Sequence, residues 1–312
     1  MAPLASRKCN RIQLNIPSEN KVQPKSGLHT ASRQTIRKIL NIERHFFKKQ
    51  EIDKASKAWK NITNAIKEKA TKKLASETDE DTQITFLKNI WKIMRKEGIK
   101  YNKNPSDFLT KSILGYKKCR FTCDNSSLLI HIIAGEMNID TKLVWAINKK
   151  NKNHCFITTD DYVLETTNGK FYPSDLIPYN YEYVYELKEE QIPIATLARE
   201  IAQKQHSNEN AEKEIKRILK LAPDCAIFNL RMGEYYISIQ NLTKAFDYLQ
   251  KSIELFPKYI HAHYRLTLLL NEMQRFEEAR THGEMVLKFG SQHFKRKILT
   301  PLDKTYKEIK NK

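Results

Sequence analysis

A cysteine, a histidine and a carboxylate occur along the chain in the order Cys123, His154, Glu165. Cys123 opens a segment with helical character, Thr122-Cys123-Asp124-Asn125-Ser126-Ser127-Leu128-Leu129. His154 lies in the strand-like run Asn153-His154-Cys155-Phe156, and Glu165 in Leu164-Glu165-Thr166-Thr167-Asn168-Gly169. A thiol on a helix, followed by an imidazole and an acid on adjacent strands, is the layout of a nucleophile, its base and the group that orients the base. The chemistry would be the making or breaking of acyl bonds. A thiol at a helix N-terminus meets unpaired backbone donors and the positive end of the helix dipole, which favour thiolate. The N–H of Cys123 could help bind an oxyanion.

The two strands must present their side chains together. A two-residue turn at Asp160-Asp161 places residues whose numbers sum to 321 opposite each other, so Phe156 faces Glu165 and His154 faces Thr167. His154 and Glu165 then share a sheet face as diagonal neighbours. Cys155 points to the opposite face, which selects Cys123 as the partner of His154. A one-residue slip would undo that arrangement. Asp175 is a second candidate for the carboxylate.

Two other readings compete. A cysteine is often a small buried hydrophobe and nothing more. Cys119, Cys123, His131, His154 and Cys155 also offer enough thiols and imidazoles for zinc, with a Cys-x3-Cys spacing. No second paired knuckle follows, and His131 lies more than two helical turns beyond Cys123, so His131 reads as a satisfied histidine. The sequence carries no Gly-rich phosphate loop, dinucleotide fingerprint or metalloprotease motif, and the reading calls for no cofactor or metal.

The positioning elements follow from periodicity. Residues 1–30, with Pro3, Pro17 and Pro24, read as a disordered basic arm. Residues 31–77 read as helices, with Ile36, Ile39, Leu40 and Phe47 on one apolar side and Ile52, Ala55, Trp59, Ile62, Ile66 and Ala70 on the next. Ile84, Leu87, Trp91 and Met94 mark a further helix stopped by Gly98, and Asn104-Pro105 starts another that ends at Gly115. The helix after Cys123 carries Leu128, Leu129, Ile132, Ile133 and Met137 and should be buried on most sides. Strands are expected over 141–147, 155–159, 162–167 and 181–187. Residues 78–190 thus form an α+β domain, helices plus a small antiparallel sheet.

From Ile192 the chain repeats. Ala211, Ala245 and Ala279 lie 34 residues apart, Pro223 and Pro257 share that period, and Gly233 and Tyr236 fall at positions 8 and 11 of a unit starting at Ala226. This resembles the tetratricopeptide repeat, with units at about 192–225, 226–259 and 260–293 inside an α-solenoid over 191–295, and a C-terminal tail over 296–312. Departures are visible. Ala195, Asn229 and His263 replace the usual aromatic at position 4, and Gly283 stands where a bulky residue is usual.

The stretch from Cys123 through Glu165-Thr166-Thr167-Asn168-Gly169 resembles the transglutaminase-like superfamily, the papain-related cysteine acyltransferases, and in particular bacterial members followed by tetratricopeptide repeats. That resemblance covers 78–190. It implies Cys123 as nucleophile, His154 as base and acid, and Glu165 as orienting carboxylate, where the family more commonly has aspartate. It implies amide hydrolysis or transfer to an amine, with repeats that recruit a protein substrate. An inactive domain of that fold serving as scaffold for a repeat-based adaptor is the alternative.

Composition sets the remaining bounds. The formal net charge is +19. The lysines are interleaved with glutamates, which reads as a solvated surface and ranks nucleic acid last among partners. A protein or peptide in the repeat groove ranks first. Five irregularly spaced cysteines suit free thiols in a reducing, cytoplasmic setting. No run of 18 apolar residues exists to span a membrane. Residues 1–42 hold eight Lys/Arg against Glu19, which allows a transit peptide as well as the simpler basic arm.

Overall fold

The computed structural model describes residues 28–44, 47–74, 82–101, 120–193 and 220–310, with Ile113, Lys213, Lys216 and Arg217 between them. The expected arm over 1–27, the helix over 104–115 apart from Ile113, and most of the first repeat unit lie outside the described residues.

Three helices come first: α1 (Leu28–Glu43), α2 (Lys49–Leu74) and α3 (Thr82–Lys96). Their apolar stripes are buried as the spacing requires, from Ile36, Ile39 and Leu40 through Ile52, Ala55, Trp59, Ile62, Ile66 and Ala70 to Leu87 and Met94. Gly98, at φ +84°, ends α3 in the left-handed conformation that glycine adopts without penalty. Two short strands, β1 (Lys100–Tyr101) and β2 (Arg120–Phe121), pair in parallel. Helix α4 (Cys123–Glu136) follows.

Five strands complete this half: β3 (Lys142–Asn148), β4 (Asn153–Thr158), β5 (Tyr162–Glu165), β6 (Lys170–Pro173) and β7 (Tyr181–Leu187). They form one antiparallel sheet in the order β6-β5-β4-β3-β7. A 3₁₀ turn (Ser174–Leu176) and the single-turn helix α5 (Ile177–Asn180) lead into β7. The β4–β5 register pairs Ile157 with Leu164 and Thr158 with Val163, the sum of 321 that the turn at Asp160-Asp161 dictates. Strand β6 is an element the alternation did not reveal, because its four residues follow a turn and end in Pro173.

The sheet has two unequal faces. Leu143, Trp145, Ile147, Cys155, Ile157, Leu164 and Leu187 join α4 and the other helices in the main core. Val144, Ala146, Phe156, Val163 and Tyr181 form a smaller cluster on the other face.

The second half is a solenoid of paired helices: α6 (Ala226–Ser238) with α7 (Leu242–Leu255), and α8 (Ile260–Glu272) with α9 (Phe276–Phe289). Both members of the second pair start 34 residues after their counterparts, which makes these pairs tetratricopeptide-like. At Gly233 a Cβ would sit 2.5 Å from Leu249 of the partner helix, so the close approach demands glycine. The departures at position 4 share one job. Asn229 Nδ2 donates to the carbonyl of Pro223 at 3.0 Å, and His263 Nε2 lies 2.9 Å from the carbonyl of Pro257, each reaching back six residues to the proline. Gly283 is explained by Leu302, whose Cδ1 would lie 2.6 Å from an added Cβ.

Leu302 belongs to α10 (Gln292–Lys310), which occupies the stretch read as a tail. Ile298, Leu302 and Thr305 form a buried stripe at helical spacing. Pro301 interrupts the sequence pattern that would have announced this helix.

Sheet and solenoid are joined by helix capping. Neither Cys225 nor Tyr259, at the N-caps of α6 and α8, caps its helix with its own side chain. The sheet does so instead. Ala226 N–H donates to the Tyr183 hydroxyl at 2.8 Å, and Ile260 N–H donates to Asn151 Oδ1 at 2.8 Å. These are equivalent positions in the two units. Tyr259 also donates its hydroxyl to Asn153 Oδ1 at 2.8 Å, and the Trp145 and Phe228 rings pack 4.7 Å apart.

The turn after β5 fixes where Glu165 ends up. Gly169 N–H donates to Glu165 O at 2.7 Å, and Trp91 Nε1 of α3 donates to Thr166 O at 2.9 Å. Gly169 has φ +74°, and a Cβ there would lie 2.5 Å from the Trp91 ring. Gly169→Ala therefore meets backbone strain and a collision, with an expected loss of about 2 kcal/mol or more. Gly98→Ala has the same handedness but open space around it, and should lose only about 1 kcal/mol. Urea unfolding midpoints of the two variants measure the difference.

Candidate active site

Cys123 stands in the first turn of α4, half-buried beside the main core. Thr122 caps that turn: its hydroxyl accepts the Asn125 N–H at 3.0 Å. The first turns of α4 lie along the sheet where β4 and β5 part. Ser127 Oγ donates to the Cys155 carbonyl at 3.3 Å and shares a hydrogen bond with Thr166 Oγ1 at 2.9 Å. The last registered β4–β5 pair on that side is Ile157–Leu164.

His154 and Glu165 are brought together. Nε2 of the imidazole bonds Glu165 Oε2 directly. The other carboxylate oxygen, Oε1, accepts the hydroxyl of Tyr172 at 2.9 Å and that of Tyr181. Tyr181 comes from β7, two strands away from β4. On this face the residue opposite His154 on β3 is Ala146, small enough for the tyrosine ring to reach past it. The Tyr181 ring lies nearly parallel to the imidazole, 6.2 Å between centroids.

Electrostatics follow from these contacts. Burial pushes the Glu165 carboxyl upward, but the hydrogen bond and charge of His154, with the two tyrosine hydroxyls, outweigh it and leave the pKa lowered. Glu165 is therefore an anion at neutral pH. An anionic carboxylate accepts, so the facing Nε2 carries a proton, and Nδ1 is the ring nitrogen that Glu165 does not engage. Nδ1 makes no hydrogen bond among the described residues. Both tyrosines are raised, by burial first and then by the neighbouring anion, and remain protonated donors.

The cysteine sits differently. Its Sγ lies 3.6 Å from Asp124 Oδ2, to which the thiol donates, and Asp124 Oδ1 accepts Trp145 Nε1 at 2.9 Å. Cys155, on the face opposite His154, is fully buried. Burial raises its pKa, helped by Asp124 and Cys123. Asp175 is exposed in the 3₁₀ turn, and the imidazole's carboxylate is Glu165. His131 is occupied: Nδ1 lies 2.8 Å from Thr141 Oγ1 and Nε2 3.1 Å from Glu189 Oε1. Among the described residues no three His, Cys, Asp or Glu side chains are placed to hold a metal ion. Cys119 lies outside them.

Sequence reasoning missed Tyr172, Tyr181, Asp124 and Trp145. Tyr172 was within reach of it, since it registers with Val163 on the Glu165 face once β6 is known. Tyr181 depends on the strand order, which local pattern does not carry.

The lowered pKa fixes a sign. Folding favours the ionised Glu165, so its contribution is present above the ordinary value of 4.5 and lost as pH falls through the lower folded value. Glu165→Gln should cost about 3 kcal/mol at neutral pH by leaving the tyrosine and histidine donors poorly matched. The gap between variant and wild type in urea unfolding should close as the pH is taken below that range.

No family model matches the chain, and no curated protein matches it. Among solved structures, the TPR domain of Sgt2 from Aspergillus fumigatus aligns with 39% of this chain and 81% of its own, at 23% identity and a TM-score of 0.34, too low to assign a fold. Menin, whose crystal structure reveals the binding site for Mixed Lineage Leukemia (MLL) protein, aligns with 88% of this chain and 73% of its own, at 11% identity and a TM-score of 0.53. The likeness to menin is one of fold alone. Among the described residues no helix is long and apolar enough to cross a membrane.

Proposed function

We propose that the chain catalyses cysteine-dependent acyl transfer or amide hydrolysis, with Cys123 as nucleophile, His154 as base and acid, and Glu165 as the orienting carboxylate of a transglutaminase-like domain. The observation that carries this reading is the fixed imidazole. Glu165 divides its oxygens between His154 and two tyrosines, which makes Nε2 the donor to the carboxylate and leaves Nδ1 as the nitrogen turned to another partner. In its neutral form that Nδ1 is the acceptor a thiol proton needs.

In the reaction, the Cys123 thiol gives its proton to Nδ1 and the sulfur attacks the substrate carbonyl carbon. The tetrahedral adduct collapses as the imidazolium returns that proton to the leaving amine, and a thioester remains. Water, deprotonated by His154, then releases an acid, or an amine acceptor takes the acyl group as a new amide. Before the first step the thiol must leave Asp124 and the core face it shares with Cys155, since the imidazole stands on the other face of the sheet. The helical repeats would present a protein substrate.

A second reading is an adaptor with a catalytically silent sheet domain. The contact between Cys123 and Asp124 favours it, since a carboxylate beside a thiol opposes thiolate formation. The fold likeness to menin, a protein with a binding site for MLL protein, fits a partner-binding role as well.

Alkylation by iodoacetamide near neutral pH, mapped by mass spectrometry, separates the two. The enzyme reading expects Cys123 to react faster than the buried Cys155 and Cys225, and His154→Ala to slow it about tenfold or more. Reaction of Cys123 at the same rate with and without His154 would show that no working pair exists.

A further inference from the structure

A cleft of about 340 Å³ lies between α3 and the β5–β6 hairpin, lined by Ile84, Lys88, Tyr162, Phe171, Tyr172 and Pro173 among others. Its walls are apolar and aromatic, and Lys88 is the one charged side chain among the lining residues. The Lys88 ammonium stands 5.4 Å above the Phe171 ring and is solvent-exposed at the rim. Concave, partly aromatic surface with a single placed charge is the make-up of a small-ligand site. The cleft is also joined to the candidate catalytic pair. Tyr172, among the residues that line it, turns its side chain to the other face of β6, where the hydroxyl donates to Glu165 Oε1, the oxygen that His154 does not use.

We infer that this cleft binds a flat apolar group bearing a carboxylate, and that it receives this part of the acyl donor. Three features define the ligand. Tyr162 and Phe171 offer ring surface for a planar apolar body. Lys88 at the rim supplies the counter-charge for an anion. The same ammonium, already seated over Phe171, repels a second cation from aromatic faces that would otherwise attract one. Amines of the same shape are therefore excluded. As a subsite for an acyl donor, the cleft rests on the acyl-transfer reading; as a binding site, it stands without it.

The test is made on the full chain carrying Cys123→Ala, so that no turnover is needed. 3-Phenylpropionate and 3-phenylpropylamine are titrated separately and followed by NMR line-broadening of the ligand. The carboxylate should bind saturably and the amine should not. Lys88→Gln, a change on an exposed helical position, should weaken the carboxylate by about threefold or more, and Lys88→Glu should reverse the preference toward the amine. Equal binding of both probes, indifference to Lys88→Glu, or no binding of the carboxylate would each overturn the assignment. Cys123 failing its alkylation test while 3-phenylpropionate still binds would reject the catalytic reading and leave the site.

Discussion

A buried carboxylate anion must be paid for in donors, and Glu165 sets the terms for the sheet around it. Taking such a charge out of water costs several kcal/mol unless its lone pairs are met by hydrogen bonds. The three donors come from three different strands: His154 on β4, Tyr172 on β6 and Tyr181 on β7. To deliver them, β6 must pair outside β5, and β7 must lie beside β3 with only Ala146 between. The strand order and the carboxylate are mutually dependent. The smaller apolar cluster of the sheet exists around this anion, with Phe156 and Tyr181 screening it from water.

The anion also explains the geometry of the base. A carboxylate with one free oxygen could swing; one held at Oε1 by two hydroxyls has Oε2 left for a single direction. That fixes the imidazole through its Nε2. The turn from Glu165 to Gly169, clamped by Trp91, keeps the carboxylate at the end of β5 rather than letting it fray into solvent. Against this rigid half stands the thiol of Cys123, which the carboxylate of Asp124 engages at the head of α4. The two halves of the candidate site therefore differ: the imidazole is held through a carboxylate that three strands supply with donors, whereas the thiol donates to its own sequence neighbour.

Much of this was legible in the sequence because it depends on local rules. Helical stripes in α1 to α3 bury where their spacing puts them, and the turn at Asp160-Asp161 determined the β4–β5 register and with it the shared face of His154 and Glu165. The 34-residue period located both helix pairs. What stayed hidden depends on long-range pairing. Tyr172 is on a strand too short to show alternation, Tyr181 reaches its partner across β3, and the buried stripe of α10 is interrupted by Pro301. At Asn229 and His263 sequence showed a departure from the repeat pattern, and only the structure shows that two unlike side chains make the same bond to a proline carbonyl.

The caps that the sheet lends to α6 and α8 carry a practical meaning for how the chain can be divided. A cut near residue 190 looks natural on the sequence, since composition changes there. A fragment beginning at Ala226 would lose the acceptors at two helix starts, Tyr183 and Asn151, and would uncover Phe228 and Tyr259. Shortened versions or grafts of the repeats need both the hairpin tip between Asn148 and Asn153 and strand β7 to travel with them.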